Sequence, residues 1–132
     1  MNMKNEKVIT LKNVKKSYIL DGKEFIALSE TSISFEKGKF YAIIGHSGSG
    51  KSTLLQLLGL IKEKTSGSIS ILNKDVDNMT AKEKATFRNK YISYMFQDFY
   101  LDNDISAMEN VMLPYYISGQ KKYKEKKAEV HE

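Results

Sequence analysis

The alternation of apolar and polar positions predicts a strand-rich N-terminal region. Residues 8–18, with the apolar residues Val8, Leu11 and Val14, predict a first strand. Residues 31–45 predict two strands around a turn at 36–38, and the second of these strands is the nearly continuous apolar run Phe40–Ile44. A continuous run is typical of a strand buried on both faces, whereas alternation is typical of antiparallel strands with one face in solvent. The pattern therefore predicts a small antiparallel layer that leads into an α/β core.

Helical spacing of apolar residues begins after this run. Leucine and isoleucine residues recur over 54–61 and extend almost all the way round the axis, which predicts a deeply buried helix. Residues 66–75 predict a strand entered and left by turns. The aromatic and β-branched segment 91–96 predicts a further strand.

Two further helix starts are marked by capping-box patterns, in which a hydroxyl residue precedes a glutamate by three positions. The pairs are Thr80 with Glu83 and Ser106 with Glu109. The first pair predicts an exposed helix over 80–90. Pro114 is expected to break the second helix or to begin a new turn. Residues 123–132 are expected to be helical.

Composition narrows the function classes. The chain has 132 residues, one ordinary domain at most or part of one, and 41% hydrophobic with 28% charged residues is typical of a globular protein. The absence of cysteine excludes disulfides and thiolate metal sites. The N-terminus predicts no secretory signal, and the densest apolar stretch, Leu54–Ile61, is too short to span a bilayer. Much of the net charge of +5 comes from the run 121–127, interpreted as a solvated helix face, so we expect no nucleic-acid partner.

Residues 45–52, GHSGSGKS, match the phosphate-loop pattern G-x-x-x-x-G-K-[ST] at every fixed position. Glycines let the backbone approach an anion, and successive N–H groups form a concave nest for phosphate oxygens. The loop residues expected to bind phosphate in this way are Gly45, Ser47, Gly48, Ser49 and Gly50. His46 occupies a variable position and is interpreted as a spacer.

The residues that follow the loop complete the predicted phosphate site. Lys51 is expected to reach the β- and γ-phosphates, and the Ser52 hydroxyl is expected to ligate Mg²⁺. Thr53 can add a hydroxyl toward the α-phosphate. The helix that begins near Ser52 contributes its N-terminal dipole and free amides.

Four segments, in matching order and spacing, resemble the N-terminal half of an ATP-binding cassette (ABC) transporter ATPase. GHSGSGKSTLLQLLGLI resembles the Walker A loop and helix, SGSISILNKDVDNMT the strand and turn that follow, and ISYMFQDFYL the Q-loop. DISAMENVMLPYYISG is similar to the next segment of macrolide, lipoprotein-releasing and bacitracin-resistance exporters. The resemblance implies an α/β P-loop NTPase fold with a partial RecA-like core and an N-terminal antiparallel β layer over 1–96. Residues 97–132 would hold the Q-loop and the start of a helical subdomain.

The resemblance also implies roles for single residues. Tyr18 matches the A-loop position that stacks on adenine, and an aromatic side chain at a strand end suits such stacking. Gln97 matches the Q-loop glutamine, which contacts Mg²⁺ or the attacking water. The implied catalytic residues are thus Lys51 and Gln97, the implied metal ligands are Ser52 and Gln97, and the implied cofactors are ATP and Mg²⁺.

The implied partners follow from the same family. Its complete ATPases form homodimers that enclose two Mg²⁺–ATP between them and drive an integral membrane transporter subunit. Residues 98–113, after Gln97, would face that subunit. The implied location is cytoplasmic, peripheral on the inner face of the cell membrane.

Other parts of the family's machinery have no match in the sequence. No apolar run is followed by the paired Asp and Glu of a Walker B strand, and His131 has no credible switch role. The stretch 117–120, ISGQ, resembles the LSGGQ signature but lies too near Gln97, so Ser118-Gly119 is interpreted as an interhelical turn. We therefore expect a fragment that is marginally stable or oligomeric, exposes the apolar flank of Phe40–Ile44, binds nucleotide weakly and turns it over very slowly.

Two other functions are compatible with the phosphate loop alone. A P-loop kinase for a nucleotide or small molecule would use the same loop, but such kinases usually place it after their first strand. A non-catalytic interaction module would use nucleotide binding only to regulate a membrane complex.

Overall fold

The computed structural model describes residues 6–98 and 101–117. Its strands and helices, in chain order, are β1 (Lys7–Leu20), β2 (Lys23–Glu36), α1 (Lys51–Leu58), β3 (Ser66–Ile71), β4 (Lys74–Asp75), α2 (Ala81–Tyr91) and α3 (Ala107–Ile117). The chain forms two compact units, the first ending at Lys84 and the second beginning at Ala85. The predicted boundary between 96 and 97 stays a prediction. None of the described helices is both long enough and apolar enough to cross a membrane.

The first unit contains a four-stranded sheet with the order β2-β1-β3-β4, in which every neighbouring pair is antiparallel. This confirms the predicted antiparallel layer. Strands β1 and β2 form a long hairpin whose turn residues, Asp21 and Gly22, both have positive φ (50° and 74°). Asp-Gly is a strongly preferred pair for such a two-residue turn, because its twist matches that of the flanking strands. The second strand thus begins at Lys23 and not at residue 31, where the hydrophobic pattern alone places its start.

A bulge in β1 determines which side chains enter the core. The register of β1 against β2 shifts between Leu11 and Val14, and Asn13 has a φ of 51°. In a regular strand, residues three apart point to opposite faces. Because the bulge changes this alternation, Leu11 and Val14 are both buried. The Asn13 N–H donates to Ser32 Oγ at 2.8 Å, and the Ser32 hydroxyl donates to Asn13 Oδ1 at 2.9 Å, which fixes the bulge.

Helix α1 lies against β2 and buries one side only. Leu54 and Leu57 are buried, whereas Leu55 is 45% exposed. The predicted burial almost all round the axis is therefore wrong for this structure. The spacing of the buried pair, three residues apart, is that of a single apolar stripe facing a sheet.

The run Phe40–Ile44 was predicted as a strand buried on both faces, and this prediction is wrong. The segment pairs with none of the described strands, and Phe40 and Ile44 are 95% and 90% exposed. An extended segment becomes a strand only when a neighbour satisfies its N–H and C=O groups, so apolar composition alone does not suffice. The accompanying expectation, that the apolar flank of this run is exposed, agrees with the structure.

The second predicted strand that fails is 91–96. Tyr91 is the last residue of α2, and residues 92–96 have no regular secondary structure. Their aromatic side chains contact each other locally instead, since the Tyr94 and Phe96 ring centroids lie 4.6 Å apart. Aromatic residues prefer strands because they pack against side chains of a neighbouring strand. The composition of 91–96 alone does not show whether such a neighbour exists.

Both predicted capping boxes are formed. The Ser106 N–H and hydroxyl donate to Glu109 Oε2 at 2.8 and 2.7 Å, so α3 begins where the pattern placed it. Pro114 lies inside α3, which continues to Ile117, so the expected break is wrong. A helix can retain an internal proline at the expense of one backbone hydrogen bond and some distortion. The predictions for 117–120, 121–127 and 123–132 concern residues that are wholly or mostly outside the described ranges.

The Thr80 capping box is expected to make folding depend on pH. The Thr80 N–H and hydroxyl donate to Glu83 Oε2 at 2.8 and 2.7 Å, and the backbone bond is the main reason that the pKa of Glu83 lies below its ordinary value of 4.5. A lowered pKa stabilises the fold above the ordinary pKa, and this contribution is lost as pH falls through the lowered value. Glu83→Gln retains a hydrogen-bond acceptor but does not titrate. Between pH 7 and pH 3, we expect the urea midpoint of this variant to fall less than that of the unaltered chain. An equal loss in both proteins would contradict this expectation.

Candidate functional site

The phosphate loop leads directly into the N-terminus of α1. Gly50 is the N-cap residue with a φ of 87°, and no side chain caps the helix. The first intrahelical bond runs from the Leu54 N–H to the Gly50 carbonyl at 2.8 Å, so the amides of residues 51–53 have no acceptor within the helix. The first turn contains no acidic residue. Free amides and the positive end of the helix dipole make this N-terminus favourable for an anion.

The Lys51 ammonium lies across the loop. Its Nζ donates to the carbonyl oxygens of Gly45 and His46 at 2.9 and 2.6 Å and approaches Ser49 Oγ at 3.5 Å. The loop is also closed by the Ser49 N–H, which donates to the His46 carbonyl at 3.3 Å. The structure thus places a cation inside the loop beside Gly45 and Ser49. Its present acceptors are uncharged carbonyl oxygens, so anionic phosphate oxygens would bind the ammonium more strongly.

An open cleft of about 220 Å³ lies between the loop and β2. Its loop and helix side is formed by Gly48, Gly50 and residues 51–53. Its strand side is formed by Phe25 and Ala27. The structure thus brings Lys51, Ser52 and Thr53 together with two of the loop glycines, while Ser47 lies in the exposed turn of the loop.

The loop is held close to β2 at Gly50. A Cβ atom on Gly50 would lie 2.7 Å from the Ala27 carbonyl oxygen and 3.2 Å from Leu28 Cδ1. Only glycine allows this approach, and it also tolerates the positive φ without strain. The width of the cleft at this point therefore depends on a residue without a side chain.

Tyr18 has a different environment from the one that adenine stacking implies. The ammonium groups of Lys16 and Lys62 lie 4.6 and 5.5 Å from the centroid of its ring. Its hydroxyl is buried and has no hydrogen-bond partner among the described residues. Tyr18 is not one of the residues that line the cleft. Its predicted contact with a base stays a prediction.

Gln97 belongs to the second unit, where it is exposed in a bend that follows the irregular segment 92–96. Its predicted roles toward Mg²⁺ and water stay predictions. Residues 6–98 and 101–117 contain no cluster of three or more His, Cys, Asp or Glu side chains that could hold a metal ion. A metal at this site would need ligands from hydroxyl, amide, phosphate or water oxygen, which is the donor type that Mg²⁺ accepts.

Phe25, like Ala27, is a cleft residue that the sequence patterns do not predict. It lies opposite Tyr18 in the β1–β2 register, close to the hairpin turn. The Asp21-Gly22 turn signal would have extended β2 to include Phe25. Its position over the phosphate loop depends on the packing of β2 against Gly50, which no local pattern reveals.

A protein-family model described as "ABC transporter" matches residues 28–132. The lipoprotein-releasing system ATP-binding protein LolD of Pseudoalteromonas translucida is 39% identical over 115 residues, which are 87% of this chain and 50% of LolD. The macrolide export ATP-binding/permease protein MacB of Chlorobaculum tepidum is 39% identical over 86% of this chain and 18% of MacB. The chain thus spans about half the length of the LolD relative that it matches.

Two solved structures have the same fold over most of this chain. A dimeric structure of MJ0796, described as a bacterial ABC transporter cassette, superposes with a TM-score of 0.79 at 35% identity, covering 83% of this chain and 47% of that one. A dimeric post-hydrolysis structure of MJ0796 with ADP and Pi superposes with a TM-score of 0.81 at 31% identity, covering 92% and 54%. These likenesses confirm the predicted partial P-loop NTPase fold.

Proposed function

Because this chain belongs to the ABC transporter family, we propose that it is part of an ATP-binding subunit that couples ATP binding and hydrolysis to export or release. The observation that carries the proposal is the cation inside the phosphate loop, held beside the uncapped N-terminus of α1 and an open cleft. Several relatives bear names of ATP-binding proteins of transport systems, and these names support the same function here.

In this proposal the triphosphate lies along the loop and the N-terminus of α1. Lys51 exchanges its carbonyl partners at Gly45 and His46 for β- and γ-phosphate oxygens, while the loop amides bind the remaining oxygens. Ser52 would hold Mg²⁺, which neutralises charge on the phosphates when bound. Thr53 adds a hydroxyl at the α-phosphate. Tyr18 would stack on adenine.

The partners belong to the same proposal. The related MJ0796 cassette is described as dimeric, which supports a homodimer of the complete protein. We place an integral membrane transporter subunit against residues 98–113. Three apolar side chains of this segment support the contact, since Leu101, Val111 and Leu113 are 64%, 52% and 40% exposed. The ATP-binding subunit would act at the cytoplasmic face of the membrane.

Lys51→Ala tests the proposed nucleotide site. Hydrogen bonds to charged groups contribute about 1.5–3 kcal/mol, so loss of the ammonium is expected to weaken ATP binding by tenfold or more. The measurement is isothermal titration calorimetry of the 132-residue chain with Mg²⁺–ATP. Lys39→Ala is a matched control, because it removes an equal charge from an exposed residue ahead of the loop. Equal affinities of Lys51→Ala and the unaltered chain would overturn the proposed site.

A further inference from the structure

Phe25 presents an aromatic ring to the phosphate cleft. Phe25 is 56% exposed, and it lines the cleft together with Lys51, Ser52 and Thr53. The hairpin turn at Asp21-Gly22 fixes its position in the register opposite Tyr18. The ring is therefore held by a paired strand rather than by a loop.

The neighbouring contacts show how near β2 comes to the loop. Ala27, two residues along β2, also lines the cleft, and its carbonyl oxygen would lie 2.7 Å from a Cβ on Gly50. Adjacent residues of a strand point to opposite faces, and the next residue, Ile26, does not line the cleft although it is 50% exposed. The exposure of Phe25 toward the loop is thus a property of its position and not of apolar residues in this hairpin generally.

The chemistry of the cleft divides into two parts. Lys51 and the amides of the loop are complementary to phosphate oxygens. An exposed aromatic face offers these oxygens no hydrogen bond, but it is complementary to the flat, weakly polar part of a nucleotide. We propose that Phe25 is a nucleoside-contacting residue that forms the apolar wall of this site. The inference rests on the proposed function, because it takes the phosphates to occupy the loop.

The test compares ATP with inorganic tripolyphosphate, which has the phosphates but no nucleoside. By calorimetry of the 132-residue chain with Mg²⁺, Phe25→Ala is expected to weaken ATP binding about tenfold and to leave tripolyphosphate binding within about twofold. Phe25→Tyr retains a ring and is expected to bind ATP like the unaltered chain. Ile26→Ala is the matched control, and it is expected to change neither affinity.

The outcomes separate this inference from the proposed function. If Phe25→Ala binds ATP normally while Lys51→Ala does not, the role of Phe25 is overturned and the phosphate site stands. Equal weakening of ATP and tripolyphosphate by Phe25→Ala also overturns it, because the effect then lies in the loop rather than in a nucleoside contact. If Lys51→Ala changes neither ligand, or the unaltered chain binds neither, the proposed function fails and the inference fails with it.

Discussion

Replacement of Gly67 by alanine is expected to lower the free energy of unfolding by about 2–5 kcal/mol. Gly67 has a φ of 86°, in the left-handed region where a Cβ is unfavourable by about 1–2 kcal/mol. A Cβ at this position would also lie 2.3 Å from the Asn13 carbonyl oxygen and 2.6 Å from that of Lys12. Forcing extra atoms into a close-packed position typically adds a further 1–3 kcal/mol.

The clash at Gly67 cannot be relieved locally, because its partner is the bulge of β1. Asn13 has a positive φ of its own and exchanges two hydrogen bonds with Ser32. Moving the Asn13 carbonyl away from β3 would disturb this bulge, which allows Leu11 and Val14 to be buried together. The substitution therefore acts on the core of the first unit and not only on the start of β3.

Urea denaturation followed by far-UV circular dichroism measures this effect, and Gly22→Ala is the matched control. Gly22 also has a positive φ, of 74°, but a Cβ there would meet nothing within 4 Å. At Gly22 only the strain of the positive φ applies, so its replacement is expected to lower the free energy of unfolding by about 1–2 kcal/mol. Equal losses for Gly22→Ala and Gly67→Ala would show that the contact with Asn13 contributes nothing.

Sequence patterns predicted the parts of this fold whose causes are local. A capping box involves residues three apart, so Thr80 with Glu83 and Ser106 with Glu109 could be identified directly. The phosphate loop is similarly local, because its glycines and Lys51 lie within seven residues of each other. The Asp21-Gly22 turn carried the same kind of signal, and using it would have predicted the long β1–β2 hairpin.

The predictions that failed depend on partners distant in the sequence. Residues 40–44 and 91–96 have strand composition, but a strand is defined by backbone bonds to a neighbour, and neither segment has such a neighbour among the described residues. The bulge at Asn13 is also nonlocal, since it is fixed by Ser32 and accommodated by Gly67. Side-chain alternation in β1 could not reveal it.

The candidate site shows the same division. Its phosphate-binding side follows from the motif, whereas its strand side, Phe25 and Ala27, exists only because β2 packs against the loop. The environment of Tyr18 likewise depends on Lys62, which lies beyond α1 in the chain. A motif thus predicts the chemistry of the loop, and tertiary packing determines the residues that face it.

Replacement of Gly50 by alanine is expected to affect both stability and nucleotide binding. The φ of 87° and the 2.7 Å separation of its ideal Cβ from the Ala27 carbonyl oxygen predict a loss of about 2–5 kcal/mol in the free energy of unfolding. Ala27 lies within β2 between Ile26 and Leu28, which both pair with β1, so relief of this clash is expected to move the loop away from β2. Since Gly50 and Ala27 lie on the two sides of the cleft, such a movement alters the phosphate site.

The stability effect is measured without nucleotide, by urea denaturation, against Gly48→Ala. Gly48 lies in the same loop and has a φ of 76°, but a Cβ there meets no atom within 4 Å. Its replacement is expected to introduce only the strain of the positive φ, which lowers the free energy of unfolding by about 1–2 kcal/mol. The difference between the two variants isolates the contact of the loop with β2, because the loop, the substitution and the sign of φ are the same.

The binding effect of Gly50→Ala is measured by calorimetry with both Mg²⁺–ATP and tripolyphosphate. The measurement is made without urea, at a temperature at which the variant is folded. Displacement of the loop disturbs the amides that bind phosphate. A loss of about 1.4 kcal/mol in binding free energy weakens affinity tenfold, and we expect both ligands to lose at least this much. This distinguishes Gly50→Ala from Phe25→Ala, for which only ATP binding is expected to weaken. If Gly50→Ala is as stable as Gly48→Ala and binds tripolyphosphate normally, the loop tolerates a side chain at the contact with Ala27. In that case β2 does not fix the geometry of the phosphate site.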